Sequence, residues 1–248
     1  MKQTKILMGM PITVEVVDQY TKIDVFEKVF SYFEYIDNKF STYKKDSEIS
    51  LINEGKIELL KASSDMKKVL NFAEETKKET HGYFDVYHDG RINPSGIVKG
   101  WAIYNAAKIL IKHGFSNFYI EAGGDIQVFG KNKLRKSWKA GIKSPFRRKT
   151  IVKILYLTNC GIATSGNYER GKHIYNPLNN KKADEIASIT VVGPNVYEAD
   201  RFATAAFAMG KKGIEFIEKQ KNLEGYMINK QGQATFTSGF EKLTNEHN

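Results

Sequence analysis

SWKAGIKSPFRRKTIVKILYLTNCGIATSG, residues 137–166, holds three strand-like runs, SWKAGIKSP, IVKILYL and GIATSG, with only turns between them. Short runs rich in β-branched and aromatic residues, bounded by Gly, Pro, Ser and Asn, read as strands. Strand following strand is not the βαβ alternation of a doubly wound sheet, so the chain is read as α+β. Upstream, NFYIEAGGDIQVFG (117–130) reads as a strand broken at Gly123–Gly124, and MPITVEVV (10–17) as an alternating strand. Downstream, ASITVVG (187–193) is a strand and GYMINKQGQATFT (225–237) a hairpin turning near Gln231–Gly232.

Helical spacing appears elsewhere. Val25, Phe26, Val29, Phe30, Phe33, Ile36 and Phe40 form one apolar stripe. A second helix is predicted from a Ser64 cap to near Gly82, a third over WAIYNAAKILIKHG (101–114), and a fourth over EADRFATAAFAMG (198–210). Residues 213–220 extend or follow that fourth helix. STYKKDSEIS (41–50) and HIYNPLNNKK (173–182) read as loops, and residues 80–100 as turn-rich. With no repeat and no low-complexity linker, residues 1–248 are taken as one domain.

The formal charge is +10, with lysines spread along the chain and no dense basic tract of the kind that makes a nucleic-acid arm. No nucleic-acid partner is expected. Cys160 is the only cysteine, which excludes an intrachain disulfide and a cysteine-based zinc site. No run is long enough for a transmembrane helix, and the N-terminus lacks a signal-peptide pattern. The chain is therefore expected in the cytoplasm, or outside it if a leader has been removed. GxGxxG, GxxxxGK[ST], HExxH and GxSxG are absent. Histidines 81, 88, 113, 173 and 247 show no metal-ligand spacing, so any metal should be a hard one held by oxygens.

Four stretches carry chemical interest. NPSGIVKG (93–100) leads into a helix, where exposed amides and Lys99 suit an anion, although spacing alone favours an ordinary helix-entry turn. AGGDI (122–126) is either a close backbone approach to a ligand or a hairpin bend. GIATSGNYERGKHIYNP (161–177) gathers Thr164, Ser165, Arg170 and His173 in turn-rich sequence, although one loop histidine is more often simply solvated. In EADRFATAAF (198–207), Asp200 and Thr204 share a helix face. They either hydrogen-bond to each other or supply two oxygens to Mg²⁺.

Taken together these stretches resemble the ApbE family of FAD:protein FMN transferases. MGMP (8–11) is similar to that family's MGT-type start, and STYKKDSEIS to its Ser-x-Tyr loop. HGYFDV resembles GGxFD, NPSGIVKG resembles DxGGIAKG, and AGGDI resembles the GGD turn. GIATSGNYER, HIYNP and EADRFATAAF are similar to the TSGxYxR, HIIDP and ADxxxTA segments. The resemblance spans nearly the whole chain in order. It implies an α+β fold resembling a tandem T-fold, and an enzyme that uses Mg²⁺ to cleave FAD. FMN would pass to a threonine of an acceptor protein with release of AMP.

By motif position, the resemblance assigns the metal to Asp200, Thr204 and the Gly96 carbonyl. It places Met8, Tyr43, Tyr83, Phe84, Asp85, Asn93, Lys99 and Tyr175 around the flavin nucleotide, with Gly123, Gly124, Thr164 and Ser165 nearby. His173 would assist the transfer. The chain departs from the family pattern in carrying Asn93 and Asn176 where aspartates are usual, Ala203 where some relatives have an acid, and a short segment between Asp85 and Asn93. Two other readings stand beside transfer: an FAD pyrophosphatase with water as nucleophile, and an FAD-binding protein without turnover.

Overall fold

A computed structural model describes residues 1–18, 23–147, 149–167, 171 and 174–246. The chain opens with β1 (Lys2–Leu7) and β2 (Met10–Val16), followed by α1 (Ile23–Phe40), α2 (Glu48–Asn53) and α3 (Ser64–Glu79). Next come β3 (Tyr87–His88), β4 (Arg91–Ile92) and α4 (Ser95–Lys112). Four strands follow: β5 (Phe118–Ala122), β6 (Asp125–Phe129), β7 (Trp138–Lys143) and β8 (Ile151–Leu157). Then come β9 (Cys160–Gly166), β10 (Tyr175–Asn176), β11 (Lys181–Lys182) and β12 (Ile186–Gly193). The chain closes with α5 (Val196–Ala208), α6 (Gly213–Glu218), β13 (Glu224–Asn229) and β14 (Ala234–Phe236).

Among the described residues eight strands form one sheet in the order β1-β2-β5-β6-β9-β12-β13-β14, and every neighbouring pair is antiparallel. The α+β reading therefore holds. Strand pleating sends alternate residues to opposite faces. On one face α1, α3 and α4 bury Phe26, Phe30, Phe33 and Ile103 against β2 and β5, while α5 and α6 cover β9, β12 and β13. On the other face the hairpin β7–β8 buries Trp138, Ala140, Ile142, Leu155 and Leu157 against Val128, Ile162 and Ile228. The result is three layers: helices, sheet and hairpin.

Several predicted boundaries move. The loop expected over residues 41–50 ends early, because the Ser47 hydroxyl accepts from the Ser50 N–H and starts α2. Ser63 rather than Ser64 caps α3, accepting from the Met66 N–H at 3.3 Å. The third helix begins at Ser95, six residues before Trp101, so Gly96 and Gly100 lie inside it. Gly123 and Gly124, with φ of 58° and 94°, form the two-residue turn between β5 and β6. This is a hairpin of the kind that needs positive φ at both central positions. Part of the expected 173–182 loop closes as a small ladder, Tyr175 opposite Lys182 and Asn176 opposite Lys181.

The start of α5 is fixed to the sheet. Asn195 caps it by accepting from the Glu198 N–H, and the Gln127 side chain accepts from the Val196 N–H while donating to the Cys160 carbonyl. Gly161 lies directly beneath, where a β-carbon would come within 1.9 Å of the Val196 nitrogen. Helix α5 therefore packs at backbone contact, and that closeness positions the site.

Candidate active site

A cleft of about 650 Å³ is walled by α2, the β3–β4 hairpin, the first turns of α4, the β5–β6 turn, β9 and α5. That size lies within the range of small-molecule and cofactor sites. At one end the first turns of α4 meet the middle of α5. The Gly100 N–H donates to Asp200 Oδ2 at 2.8 Å, and one turn earlier the Gly96 carbonyl oxygen stands 3.5 Å from Thr204 Oγ1. Ser165 Oγ on β9 is also 3.5 Å from Thr204 Oγ1.

Lys99 joins a second carboxylate to this group. Its ammonium lies 2.5 Å from Asp125 Oδ2 and 4.0 Å from Asp200 Oδ1. Asp125 is 1% exposed and Asp200 4%, so two buried acids share one lysine. Burial pushes the Asp200 carboxyl well above the usual carboxylate range, against the pull of Lys99, and the adjacent Asp125 adds to the rise. A buried pair of acids with a single cation favours a proton or a further positive charge between them.

The donor set suits a hard divalent cation. Asp200, Thr204 and Gly96 offer a carboxylate, a hydroxyl and a backbone carbonyl to the cleft, all oxygen and few in number, as Mg²⁺ prefers. Among the described residues no group of three or more His, Cys, Asp or Glu side chains forms an alternative metal site. Asp200 and Thr204, which their spacing already sets on one helix face, and Gly96, which only the resemblance adds, are thus brought to the same end of the cleft by the α4–α5 contact.

Of the residues assigned to the flavin nucleotide, Tyr43, Tyr83, Phe84, Asp85, Asn93, Lys99, Gly123, Thr164, Ser165 and Tyr175 line the cleft. Tyr43 is almost fully exposed, whereas Phe84 is buried under the floor beside Gly96. Asp85 binds Lys77 at 2.6 Å and accepts from the Tyr87 N–H, so its carboxylate is engaged in building the wall. Asn93 Oδ1 accepts from the Ser95 N–H at 3.2 Å, shaping the entry to α4. The Thr164 N–H donates to Asp125 Oδ1 and its hydroxyl pairs with Thr190. Met8 and Gly124 are not among the residues of this wall: Met8 packs against the helical core and the Gly124 N–H donates to Glu121. His173 and Arg170 lie outside the described residues.

The cleft also contains residues that sequence reasoning did not single out. His88 stacks on Tyr175 with ring centroids 3.8 Å apart. The Tyr175 hydroxyl donates to the carbonyls of Asp85 and Tyr87, which fixes the β3–β4 hairpin over the cleft. Burial pushes the Tyr175 hydroxyl up to about 12, so it stays protonated and donating. Asn53 clasps the Ile92 backbone at both N–H and carbonyl. Arg91 and Lys182 add positive charge to the lining. Only Asp125 left a local trace, in the AGGDI stretch; the other pairings join residues far apart in the chain.

The model of a family described as the ApbE family matches residues 8–93 and 87–227. A Haemophilus influenzae protein named FAD:protein FMN transferase is 28% identical, over 88% of this chain and 83% of its own length. A Klebsiella pneumoniae protein of the same name is 27% identical, over 58% of this chain and 44% of its own. The matched part is thus under half the length of that second relative. The solved structure of the flavin transferase ApbE from Vibrio cholerae superposes with a TM-score of 0.86 at 21% identity, covering 98% of each chain. The ApbE protein from Thermotoga maritima gives a TM-score of 0.89 at 21% identity, covering 99% of each. At that identity the two superpositions speak for the fold.

Proposed function

The chain belongs to the ApbE family, and on that premise we propose that it is a flavin transferase that moves the FMN half of FAD onto a threonine hydroxyl of an acceptor protein. The observation that carries this reading is the set of three oxygens from Asp200, Thr204 and Gly96 beside the buried Asp125–Lys99 pair, at the end of a cleft of cofactor size.

In the proposed reaction the threonine Oγ–P bond forms on the FMN phosphorus as the bond from that phosphorus to the bridging oxygen breaks. AMP leaves, and the threonine proton passes to a base. Asp200, Thr204 and the Gly96 carbonyl would hold Mg²⁺, which polarises phosphate oxygens and offsets charge on the leaving group. Lys99, fixed by Asp125, adds positive charge to the same end of the cleft. Phosphoryl transfer asks mainly for such positioning and electrostatics. Tyr83, Tyr175 and the stacked His88 supply aromatic surface for the flavin and adenine rings. The resemblance assigns His173 to receive the threonine proton, a task for which imidazole is suited near neutral pH.

Asn93 and Asn176 reduce negative charge near the site relative to the family pattern, which favours binding of an anionic substrate. No helix among the described residues is long and apolar enough to cross a membrane.

Incubation with FAD and Mg²⁺, with and without a threonine-bearing acceptor protein, tests the proposal. Acceptor-dependent AMP release is expected. FMN and AMP formed at the same rate without acceptor would make the protein a pyrophosphatase, and bound but intact FAD would make it a carrier.

A further inference from the structure

The stretch from Ile126 to Tyr168 carries ten lysines and arginines and not one aspartate or glutamate. The charge is therefore segregated, contrary to the even spread first read from the composition. Its centre is the β7–β8 hairpin, which forms the outer layer on the sheet face opposite α4 and α5. The inner side of the hairpin is the apolar core already described. Its outer side pairs Lys139 with Tyr156 and Gly141 with Ile154, with Lys143 opposite Ile151. Ile151 and Ile154 are 48% and 51% exposed. In the connecting loop Phe146 is 56% exposed just ahead of exposed Arg147 and Lys149, and Leu134 is 78% exposed on the preceding loop. Among the described residues no ion pair engages Lys139, Arg147, Lys149 or Lys153; Lys139 instead sits 5.2 Å from the Tyr156 ring centroid.

Exposed aliphatic and aromatic side chains set among cations suit a partner that is anionic at its surface and apolar just beneath. An anionic lipid bilayer has this layering: headgroup charge attracts lysine and arginine, and the acyl boundary takes up Phe146, Leu134 and the isoleucines. Nucleic acid offers the charge but little surface to bury aliphatic side chains. The geometry points to the outer face of the β7–β8 hairpin as a docking surface for an anionic membrane, which leaves the cleft on the far side of the sheet free for its ligands. This inference does not depend on the flavin chemistry.

Co-sedimentation of the full chain with phosphatidylcholine vesicles, with and without 30% phosphatidylglycerol, tests it. Binding at least tenfold tighter to the anionic vesicles is expected. Combining Lys139→Gln, Arg147→Gln and Lys149→Gln should weaken it on the order of 100-fold, since each cation near such a surface contributes roughly one kcal/mol. Phe146→Ser should weaken it further at unchanged charge. A matched set on α3, Lys67→Gln, Lys68→Gln and Lys78→Gln, should leave binding within about twofold, because it lowers net charge equally but lies on the helical layer. Circular dichroism and the melting temperature establish that each variant is folded. Equal binding to neutral and anionic vesicles, equal loss in the α3 set, or tighter binding to duplex DNA or an acidic protein such as polyglutamate-tailed carrier would each overturn the proposal.

Discussion

Gly100 lies against Asp200: its N–H donates to Asp200 Oδ2 at 2.8 Å, and a β-carbon on Gly100 would stand 2.6 Å from Asp200 Cβ and 2.8 Å from the Val196 carbonyl. The same closeness brings the Gly96 carbonyl to Thr204. Backbone contact between α4 and α5 is thus the structural basis of the proposed metal site. Gly100→Ala should force the helices apart, costing about 1–3 kcal/mol, with the melting temperature falling roughly 2–4 °C per kcal/mol. Mg²⁺ affinity should fall in parallel. Calorimetry with and without Mg²⁺ checks both, and unchanged Mg²⁺ affinity in a destabilised variant would detach the site from the helix contact.

Asp200→Asn keeps the shape and an acceptor for the Gly100 N–H but removes a charge that burial disfavours. Lys99 retains Asp125 as partner. The metal-free variant should melt at or above the wild-type temperature, while Mg²⁺-dependent turnover of FAD falls at least about 100-fold. A lower melting temperature in the absence of metal would show that the carboxylate is structural.

Arg201 illustrates a purely structural charge. It is 8% exposed and binds Glu198 at 2.5 Å, Glu79 and the Thr76 hydroxyl, tying α5 to α3. Its glutamate partners remain partly exposed, which limits the penalty of leaving them alone. Arg201→Ala should cost about 2 kcal/mol, seen as a shift in the denaturation midpoint. FAD affinity of the folded variant should stay unchanged.

Acid should weaken the α1–α2–α3 junction through Glu48. Burial alone would raise its pKa, but the Ser63 N–H, the Lys39 ammonium and the Ser63 hydroxyl outweigh that and hold it below the ordinary 4.5. A carboxyl depressed in the folded state contributes stability that is present above the unfolded value and is lost as pH falls through the folded one. Glu48→Gln should therefore be less stable than wild type at pH 7, with the gap closing below about pH 4.5. A pH-independent gap in urea denaturation would refute this account.

What the sequence exposes and what it hides follow the range of the interactions. The α1 stripe and the alternation of MPITVEV were legible because one face of each is buried. Strand β1 was not, since most of its residues are exposed and nothing imposes a period on KQTKIL. Helix α2 spans only six residues and announces itself through a single capping serine. Gly96 and Gly100 looked like helix entry, because glycine is unfavourable inside a helix until another helix packs against it. The Lys99–Asp125 pair and the His88–Tyr175 stack join residues 26 and 87 positions apart, beyond the reach of any local pattern. Asp200 and Thr204 were legible as a pair from their four-residue spacing and Gly96 only through the family resemblance, whereas the convergence of the three is a property of the fold.

The central claim is most directly tested by intact-mass measurement of a threonine-bearing acceptor protein after incubation with this protein, FAD and Mg²⁺. The account predicts a gain of one FMN phosphoester, matched by an equal amount of AMP. It also predicts that the gain disappears with EDTA, with Asp200→Asn, or when the acceptor threonine is replaced by valine. An acceptor of unchanged mass while FAD stays intact, or a gain that survives Asp200→Asn, would contradict it.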